Sequence, residues 1–398
     1  MPNPKLNPFD SLMASCDFQQ IRRYLHAHPE TAYQETQTAA WVATFLKKCG
    51  LKVIENIGKT GVVALLQHQK NKPFVALRAD MDALPIEEAN CFDYRSQTKG
   101  NMHACGHDGH MAMLLQAAFV LSQDETFQGN VAFVFQPAEE GGAGAQKMIE
   151  EGLFRLFPCC AIFALHNWPG LAAGKIAVFP GPIMAGNCHI AFDFIGKGCH
   201  AALPFEGDDV ILAASTFITT LQAFVQRQKS AQSPIVLSIT QFHAGDAFNV
   251  LPSSAKLCGT LRYFDSTLLE QNLLPHIRQI ANGIAQTFGI TIQSHLTPHY
   301  PPTLNDESAA LFAQKIAEKI AGKENVIRHA QPAMTSEDFA FMLQEKPGAY
   351  AWIGNGSSFP LHNPSYDFND EILALGARYF VELAKSAQDF NSSIVQPA

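Results

Sequence analysis

The stretch Met102-His103-Ala104-Cys105-Gly106-His107-Asp108-Gly109-His110 places a thiol, three imidazoles and a carboxylate within eight residues. It runs into the apolar segment 111–115, which predicts a helix from about His107 to Leu121. Thiolate sulfur and imidazole nitrogen together suit zinc or another borderline transition metal. Cys105 and His107 point to one side of an extended segment, and Gly106 lets the backbone bend between them. The alternative is a polar helix N-terminus beside a free thiol, but the density of ligating groups favours a metal site.

The composition is that of a globular protein with a substantial core, because 47% of the 398 residues are hydrophobic and 16% are charged. A chain of this length usually forms more than one hydrophobic core, so we expect two domains. The net charge of −8 offers no basic surface for nucleic acid or an anionic membrane. Nine scattered cysteines, an odd number, indicate reduced thiols in the cytoplasm rather than a disulfide framework.

Short apolar runs alternate with helical segments in the first part of the chain. The runs at 62–66, 74–77, 131–135 and 161–165 lack polar alternation, which is typical of strands buried on both faces. We therefore expect an α/β domain with a parallel or mixed sheet. Polar residues follow these strands, where ligands of open α/β sheets bind: Arg78, Asp80, Gln136 to Glu140, His166 and Asn167.

The pattern changes near Gly181-Pro182. From there to about residue 298 the elements read β-α-β-β-α-β, which indicates a small α+β open sandwich. The α/β character returns after Tyr300. We predict a first domain formed by residues 1–184 and 299–398, interrupted by an inserted domain at 185–298.

Two further groups of residues could complete a metal site. Glu139 and Glu140 are adjacent carboxylates, ordinarily a solvated loop, but beside a metal one can bind the ion while the other takes a proton from water. His166 and His362 each follow a strand or loop end and would each be structural if considered alone. Their occurrence together with Cys105 predicts a shared site.

These motifs resemble the aminoacylase-type metallopeptidases, in particular the branch of hippurate hydrolase, bacterial N-acyl-amino-acid amidohydrolases and plant indoleacetyl-amino-acid hydrolases. The resembling segments follow the family order over nearly the whole chain: Leu25–Glu30, Leu77–Pro85, Met102–Asp108, Gln136–Glu140, His166–Asn167, His200–Pro204, Thr335–Phe339 and Leu361–Asp370. The resemblance implies a mixed-sheet α/β catalytic domain with an inserted lid and dimerisation domain. It also implies two divalent metal ions (zinc, manganese or cobalt) at a site where an activated water cleaves an amide.

The resemblance also implies roles for individual residues. The implied metal ligands are Cys105, His107, Glu140, His166 and His362, with Cys105 between the two metals. His107 and His166 would bind one metal, and Glu140 and His362 the other. Glu139 would be the general base, and Asp80 a carboxylate that holds a ligand histidine.

The inserted domain would supply recognition. By the resemblance, His200 reaches the active site of the partner subunit and stabilises the oxyanion, while Asn249 and Arg262 bind the substrate carboxylate. A guanidinium is a natural bidentate partner for a carboxylate, although Arg262 could also be a strand-surface charge. The chain departs from the family at Cys199 and Phe205, where a small residue and a His are common, and this affects the shape of the acyl pocket.

We therefore expect a cytoplasmic homodimeric amidohydrolase that cleaves N-acetyl, N-benzoyl or aryl-acetyl amino acids, without a nucleic-acid or membrane partner. A dipeptidase or an N-acetyl-diaminopimelate deacetylase is the alternative within the class. A non-catalytic metal-binding protein or a thiol sensor using Cys105 is the alternative of another class. Glu139 favours the enzyme, because a binding protein has no use for an additional carboxylate beside the metal. A single-barrel amidohydrolase would not explain the inserted sandwich.

Overall fold

The computed structural model describes residues 16–229 and 234–387. These residues form two compact units, the first made of 16–181, 304–331 and 341–387 and the second of 182–229, 234–303 and 332–340. The predicted domain boundaries, 1–184, 185–298 and 299–398, stay predictions. Their outermost parts, 1–15 and 388–398, lie outside the described residues.

Helices and strands alternate along the chain. The helices are α1 (Phe18–Ala27), α2 (Thr36–Lys48), α3 (His107–Gln123), α4 (Gly144–Glu150), α5 (Leu153–Leu156), α6 (Val210–Gln228), α7 (Leu274–Phe288), α8 (Glu307–Ala321), α9 (Phe339–Glu345) and α10 (Leu373–Ser386). The strands are β1 (Lys52–Ile57), β2 (Gly61–Gln67), β3 (Phe74–Asp80), β4 (Asn130–Gln136), β5 (Cys159–Pro169), β6 (Ile176–Ala177), β7 (Gly181–Met184), β8 (Gly186–Ile195), β9 (Cys199–His200), β10 (Val236–Ala244), β11 (Val250–Leu251), β12 (Ser254–Tyr263), β13 (Thr291–Pro298), β14 (Thr303–Asn305), β15 (Val326–Ile327) and β16 (Gly348–Gly356).

The first unit contains an eight-stranded mixed sheet with the order β1-β2-β4-β3-β5-β16-β6-β15. Strands β3 and β4 are buried at every residue, which confirms the α/β class predicted from their uninterrupted apolar runs. Because β4, β3 and β5 are parallel neighbours, their carboxyl ends lie at one edge of the sheet. Asp80, Gln136 and His166 therefore lie at or near this edge.

Helix α3 begins at His107, as the sequence predicted, and carries the apolar run 111–115 in the core of the first unit. The residue before it, Gly106, has a φ of 85°, in the left-handed region that favours glycine. A Cβ added there would lie 2.3 Å from Asn167 Nδ2 and 2.5 Å from the Tyr366 hydroxyl oxygen. Only glycine fits at this turn, which connects Cys105 to the helix.

The second unit contains a four-stranded antiparallel sheet with the order β10-β12-β8-β13. Its element order, β8-α6-β10-β12-α7-β13, is the predicted open-sandwich order. Strand β8 alternates buried and less buried residues, and α6 and α7 contribute to the core on its buried side. At the start of α6, the Asp209 carboxylate accepts the Leu212 N–H at 2.8 Å and caps the helix.

Among the described residues, α6 is long and apolar enough to cross a membrane, judged by length and composition alone. Its residues Phe217 and Leu221 are fully buried in the core of the second unit. A core helix passes the same test, so this single helix is weak evidence for a membrane span.

Candidate metal centre

The five predicted metal ligands lie in one cluster of the first unit. Cys105 Sγ lies 3.5 Å from His166 Nε2. Cys105, Glu140 and His362 offer ligand atoms within 4.8 Å of one another, and His107 is equally close to Glu139 and Glu140. The cluster combines residues from separate parts of the sequence: Cys105 before α3, His107 at its start, Glu140 in the short helical segment Glu139–Gly142, His166 near the end of β5 and His362 in a loop.

The orientation of two imidazoles is fixed by backbone carbonyls. His107 Nδ1 donates to the Asp82 carbonyl oxygen at 2.8 Å, and His166 Nδ1 donates to the Asn167 carbonyl oxygen at 2.7 Å. Because a carbonyl can only accept, the neutral form of each imidazole carries its proton on Nδ1 and its lone pair on Nε2, as in histidines that bind metals. His107 Nε2 is buried and has no hydrogen-bond partner among the described residues. These two side chains therefore fit a metal ion.

His110 lies in the same region but has both ring nitrogens occupied. Its Nδ1 donates to Asp80 Oδ1 at 2.6 Å, and its Nε2 accepts the Asn167 N–H at 3.0 Å. The other Asp80 oxygen, Oδ2, accepts from Arg78 Nη1 at 2.7 Å and lies 3.7 Å from His107 Nε2. The hydrogen-bonded histidine partner of Asp80 is thus His110, whereas the sequence-based expectation was a ligand histidine. Burial alone would raise the pKa of Asp80, but His107, Arg78 and His110 hold it well below its usual range.

The adjacent carboxylates are held by a third acidic residue. The backbone N–H groups of Glu139 and Glu140 donate to the two Asp82 carboxylate oxygens at 3.0 and 2.9 Å. Ala138, immediately before them, has a φ of 53°, an uncommon backbone conformation that turns the chain sharply at the end of β4. Asp82 therefore anchors the turn that presents Glu139, whose side chain is buried.

His362 enters the cluster from a loop. Its side chain is half exposed, and its Nε2 lies 3.0 Å from Glu140 Oε1. Its φ of 64° is uncommon for a residue with a side chain and indicates local backbone strain. The His362 N–H donates to the Ala104 carbonyl at 2.8 Å, which ties this loop to the stretch before Cys105.

The cluster carries an excess of negative charge. Burial, together with Glu140 and Glu139, raises the pKa of the Cys105 thiol well above its usual value. Burial alone would lower the pKa of His107, but Asp80, Asp82 and Glu140 raise it to about 10. A divalent cation would reverse both protonation preferences, since it stabilises thiolate and neutral imidazole. The sulfur, nitrogen and oxygen donors present suit a borderline transition metal.

The three remaining predicted site residues belong to the second unit. His200 is exposed on β9, where it pairs with Val250 on β11. The Asn249 carbonyl accepts the Ala201 N–H at 2.9 Å. His200 and Asn249 therefore lie on neighbouring segments. Arg262, on β12, is partly buried and donates to the Ser336 hydroxyl at 2.8 Å. Within the described part of the chain Arg262 forms no ion pair, which leaves its charge available to an anionic ligand.

Comparison with known proteins decides the family. The sequence profile of Peptidase family M20/M25/M40 matches residues 76–386. The chain belongs to the M20 peptidase family. It is 40% identical over 371 residues to hippurate hydrolase of Campylobacter jejuni, covering 92% of this chain and 96% of that protein. It is 37% identical over 366 residues to N-acetylcysteine deacetylase of Bacillus subtilis, covering 92% and 95%.

A solved structure extends the comparison to the fold. The YXEP protein of Bacillus subtilis, described as a dinuclear metal binding peptidase from the M20 family, matches with a TM-score of 0.82 and 33% identity, over 96% of this chain and 99% of that chain. The family resemblance seen in the sequence is therefore confirmed, and this M20 chain is a hydrolase. Its cluster of histidine, cysteine and carboxylate residues suits two divalent metal ions.

Sequence reasoning did not identify two residues that organise the site. Asp82 supports His107 through its carbonyl and the Glu139–Glu140 turn through its carboxylate. The sequence feature that could have identified Asp82 is its position two residues after Asp80 in the same motif. His110 lies one helical turn after His107, and this i, i+3 spacing placed it on the same face of α3.

Proposed function

We propose that this M20 hydrolase cleaves the amide bond of N-acyl amino acids to release a carboxylic acid and a free amino acid. The position of Glu139 carries this proposal, because its buried carboxylate lies within 4.8 Å of ligand atoms of His107 and Glu140. Metal binding alone does not need this additional carboxylate, whereas hydrolysis needs a group that moves protons. The named activities of the hippurate hydrolase and N-acetylcysteine deacetylase relatives support the substrate class.

The proposed metal ligands are Cys105, His107, Glu140, His166 and His362. Cys105 would be shared by the two metals, since its sulfur is close to His166 on one side and to Glu140 and His362 on the other. His107 and His166 would complete one position, and Glu140 and His362 the other. When bound, zinc, manganese or cobalt supplies Lewis acidity that lowers the pKa of a water and polarises the amide carbonyl.

Glu139 performs the proton transfers in this proposal. Its carboxylate accepts a proton from the attacking water and later donates it to the amide nitrogen as the C–N bond breaks. One water is consumed for each acid and amine released, so the atoms balance. The hydrogen bonds from the Glu139 and Glu140 N–H groups to Asp82 hold the catalytic carboxylate in place. Asp80 acts more indirectly, through His110 and Arg78.

Replacing Glu139 by Gln tests the proposal, because it removes the proton acceptor but preserves size. We expect both metals to remain bound and turnover of N-acetyl and N-benzoyl amino acids to fall about 10²–10⁴-fold. Metal content is measured by elemental analysis of the same samples. The exposed Glu87 provides a control, and Glu87→Gln should retain both metal and activity. Full metal content with a near-wild-type rate in Glu139→Gln would refute the assignment.

The substrate carboxylate is assigned to Arg262 and Asn249. Arg262 is partly buried, and no acidic side chain among the described residues forms an ion pair with its guanidinium. This supports a role in binding an anion. A substrate screen identifies the acyl group and separates the alternatives. It compares N-acetyl, N-benzoyl and indoleacetyl amino acids with dipeptides and N-acetyl-diaminopimelate, each with zinc, manganese and cobalt. Preference for either of the last two substrate types would favour the corresponding alternative enzyme.

We further propose a cytoplasmic homodimer in which His200 acts in the active site of the partner subunit. The exposure of His200 on a two-stranded segment supports this role, and free thiols at all nine cysteines support a reducing compartment. Mixing His200→Ala with Glu139→Gln subunits tests it, because each mixed dimer has one site with intact Glu139 and a partner that supplies His200. Random exchange should restore about a quarter of wild-type activity. Demonstrated exchange without recovery would show that His200 does not act across subunits.

A further inference from the structure

Asn167, next to the proposed ligand His166, forms hydrogen bonds with residues of the metal cluster through its side chain and its backbone. The residue is fully buried at the end of β5. Its Nδ2 donates to the Cys105 carbonyl at 2.7 Å, its backbone N–H donates to His110 Nε2, and its own carbonyl accepts from His166 Nδ1. One residue thus contacts the backbone of one proposed ligand and the imidazole of another.

The remaining polar atom of the Asn167 side chain connects to a third segment. Its Oδ1 accepts a hydrogen bond from the Tyr366 hydroxyl at 2.8 Å, and Tyr366 is also fully buried. Tyr366 lies four residues after His362, in the loop that brings this proposed ligand into the cluster. Asn167 therefore links the segments of Cys105, His166 and His362, which reach the site from separate parts of the chain.

The same contact accounts for the glycine between Cys105 and His107. A Cβ at Gly106 would overlap both the Asn167 amide and the Tyr366 hydroxyl, at 2.3 and 2.5 Å. The paired amide and hydroxyl consequently pack directly against the backbone that carries two proposed ligands. Small displacements of Asn167 would be transmitted to this backbone because no space separates them.

We propose that Asn167 is a positioning residue that, together with the Tyr366 hydroxyl, sets the relative positions of Cys105, His166 and His362 for metal binding. The proposal rests on the ligand assignment of the proposed function. Hydrogen bonds that orient ligands from outside the coordination sphere typically change metal affinity by about 10–100-fold when they are removed. Asn167 differs from most such residues because it orients three ligand segments simultaneously.

The chain offers a matched control for each substitution. Asn305 is also buried, and its amide also makes three hydrogen bonds, with the Phe179 carbonyl and the Tyr350 backbone, within the first unit. Tyr379 is a buried tyrosine in the core of the same unit. Asn305→Ala and Tyr379→Phe therefore reproduce the loss of a buried polar group without involving the metal cluster.

The test measures metal affinity on the metal-free full-length protein by competition with a chromophoric chelator, without substrate. We expect Asn167→Ala and Tyr366→Phe to weaken zinc and cobalt binding about 10–100-fold. The thiolate-to-cobalt absorption band should also weaken or shift, because the band reports the geometry at Cys105. Asn305→Ala should lower the melting temperature of the metal-free protein, because it removes buried hydrogen bonds. Both Asn305→Ala and Tyr379→Phe should leave metal affinity and absorption near wild type.

Wild-type affinity in both cluster variants, or an equal loss in the two controls, would overturn the proposal. If Asn167→Ala does not fold, Tyr366→Phe decides the outcome, since it removes only one hydroxyl group. Failure of the proposed function can be distinguished from failure of the positioning role of Asn167. In that case the wild-type protein would bind the metals through these residues without cleaving N-acyl amino acids, and the affinity differences would remain.

Discussion

Deprotonation of His26 should destabilise the first unit between about pH 6.5 and pH 9. This histidine is fully buried in α1, with Nδ1 2.9 Å from Asp108 Oδ2 and Nε2 3.2 Å from Glu88 Oε1. Arg22, also fully buried, approaches the same Asp108 oxygen at 3.3 Å. The group connects α1 to the first turn of α3, directly beside the metal cluster.

The magnitude follows from the pKa of His26. Burial alone would lower this pKa, but Asp108 and Glu88 outweigh burial and raise it to about 9. Because the native state binds the proton more tightly than the unfolded chain, the contribution is fully present below pH 6.5 and is lost as the pH rises through 9. The shift from 6.5 to about 9 corresponds to about 3 kcal/mol of unfolding free energy. The pKa of Asp108 lies below its usual range despite burial, so Asp108 stays ionised throughout this window.

The assay compares wild type with His26→Gln by urea unfolding from pH 6 to 9.5, with a chelator to remove metal-linked protons. Trp41, Trp168 and Trp352 are the three tryptophans of the chain and all belong to the first unit, so their fluorescence reports its unfolding. The stability difference between wild type and variant should shrink by about 3 kcal/mol across this range. The exposed His28, two residues away, gives the control His28→Gln. Parallel pH profiles of wild type and His26→Gln would refute the reasoning.

Three further outcomes are expected. Gly109→Ala should destabilise the protein by about 1–3 kcal/mol, because the new Cβ would lie 2.2 Å from the Phe368 ring. Gly283→Ala should instead stabilise α7 by about 0.5–1 kcal/mol, because the new Cβ would meet open space. Unfolding midpoints of the two variants check this contrast. Bound metal should protect Cys105 from alkylation, and chelation should make it reactive chiefly at high pH, because burial raises the pKa of the thiol well above its usual value. Equal labelling with and without metal in peptide maps would argue against ligation. Arg262→Ala should abolish most of the preference for a substrate with a free carboxylate over the corresponding amide, measured as the ratio of their kcat/KM values. A wild-type enzyme without that preference would show that Arg262 does not bind the substrate carboxylate.

The sheet of the first unit could be predicted from the sequence because its central strands are buried on both faces. The apolar runs 131–135 and 161–165 lie within β4 and β5. Strand β1 was not predicted, since it lies at the sheet edge and carries Lys52 and Glu55 on a largely exposed backbone. Strands β6 and β15 have only two residues each, which is too short for any periodicity to be visible.

The sequence places three histidines near Cys105, but it does not show which of them binds metal and which is held by hydrogen bonds. His107 presents an unpaired Nε2, His110 has both nitrogens occupied, and His103 is buried with neither nitrogen hydrogen-bonded within the described residues. These differences depend on carbonyls and carboxylates that come from distant segments, such as Asp80 and Asn167. Spacing along the chain carries no information about such partners.

The charge distribution of the site follows from its position at the start of α3. A helix N-terminus carries partial positive charge and by itself disfavours a cation. Buried carboxylates at and just after the ends of β3 and β4 oppose this field, and they raise the pKa of His107 to about 10 against the effect of burial. Burial together with these carboxylates raises the pKa of Cys105 well above its usual value. In the metal-free protein these groups hold protons that two divalent ions would displace. The acidic residues around the cluster therefore compensate the helix end and provide the negative potential that makes this edge of the sheet a cation site.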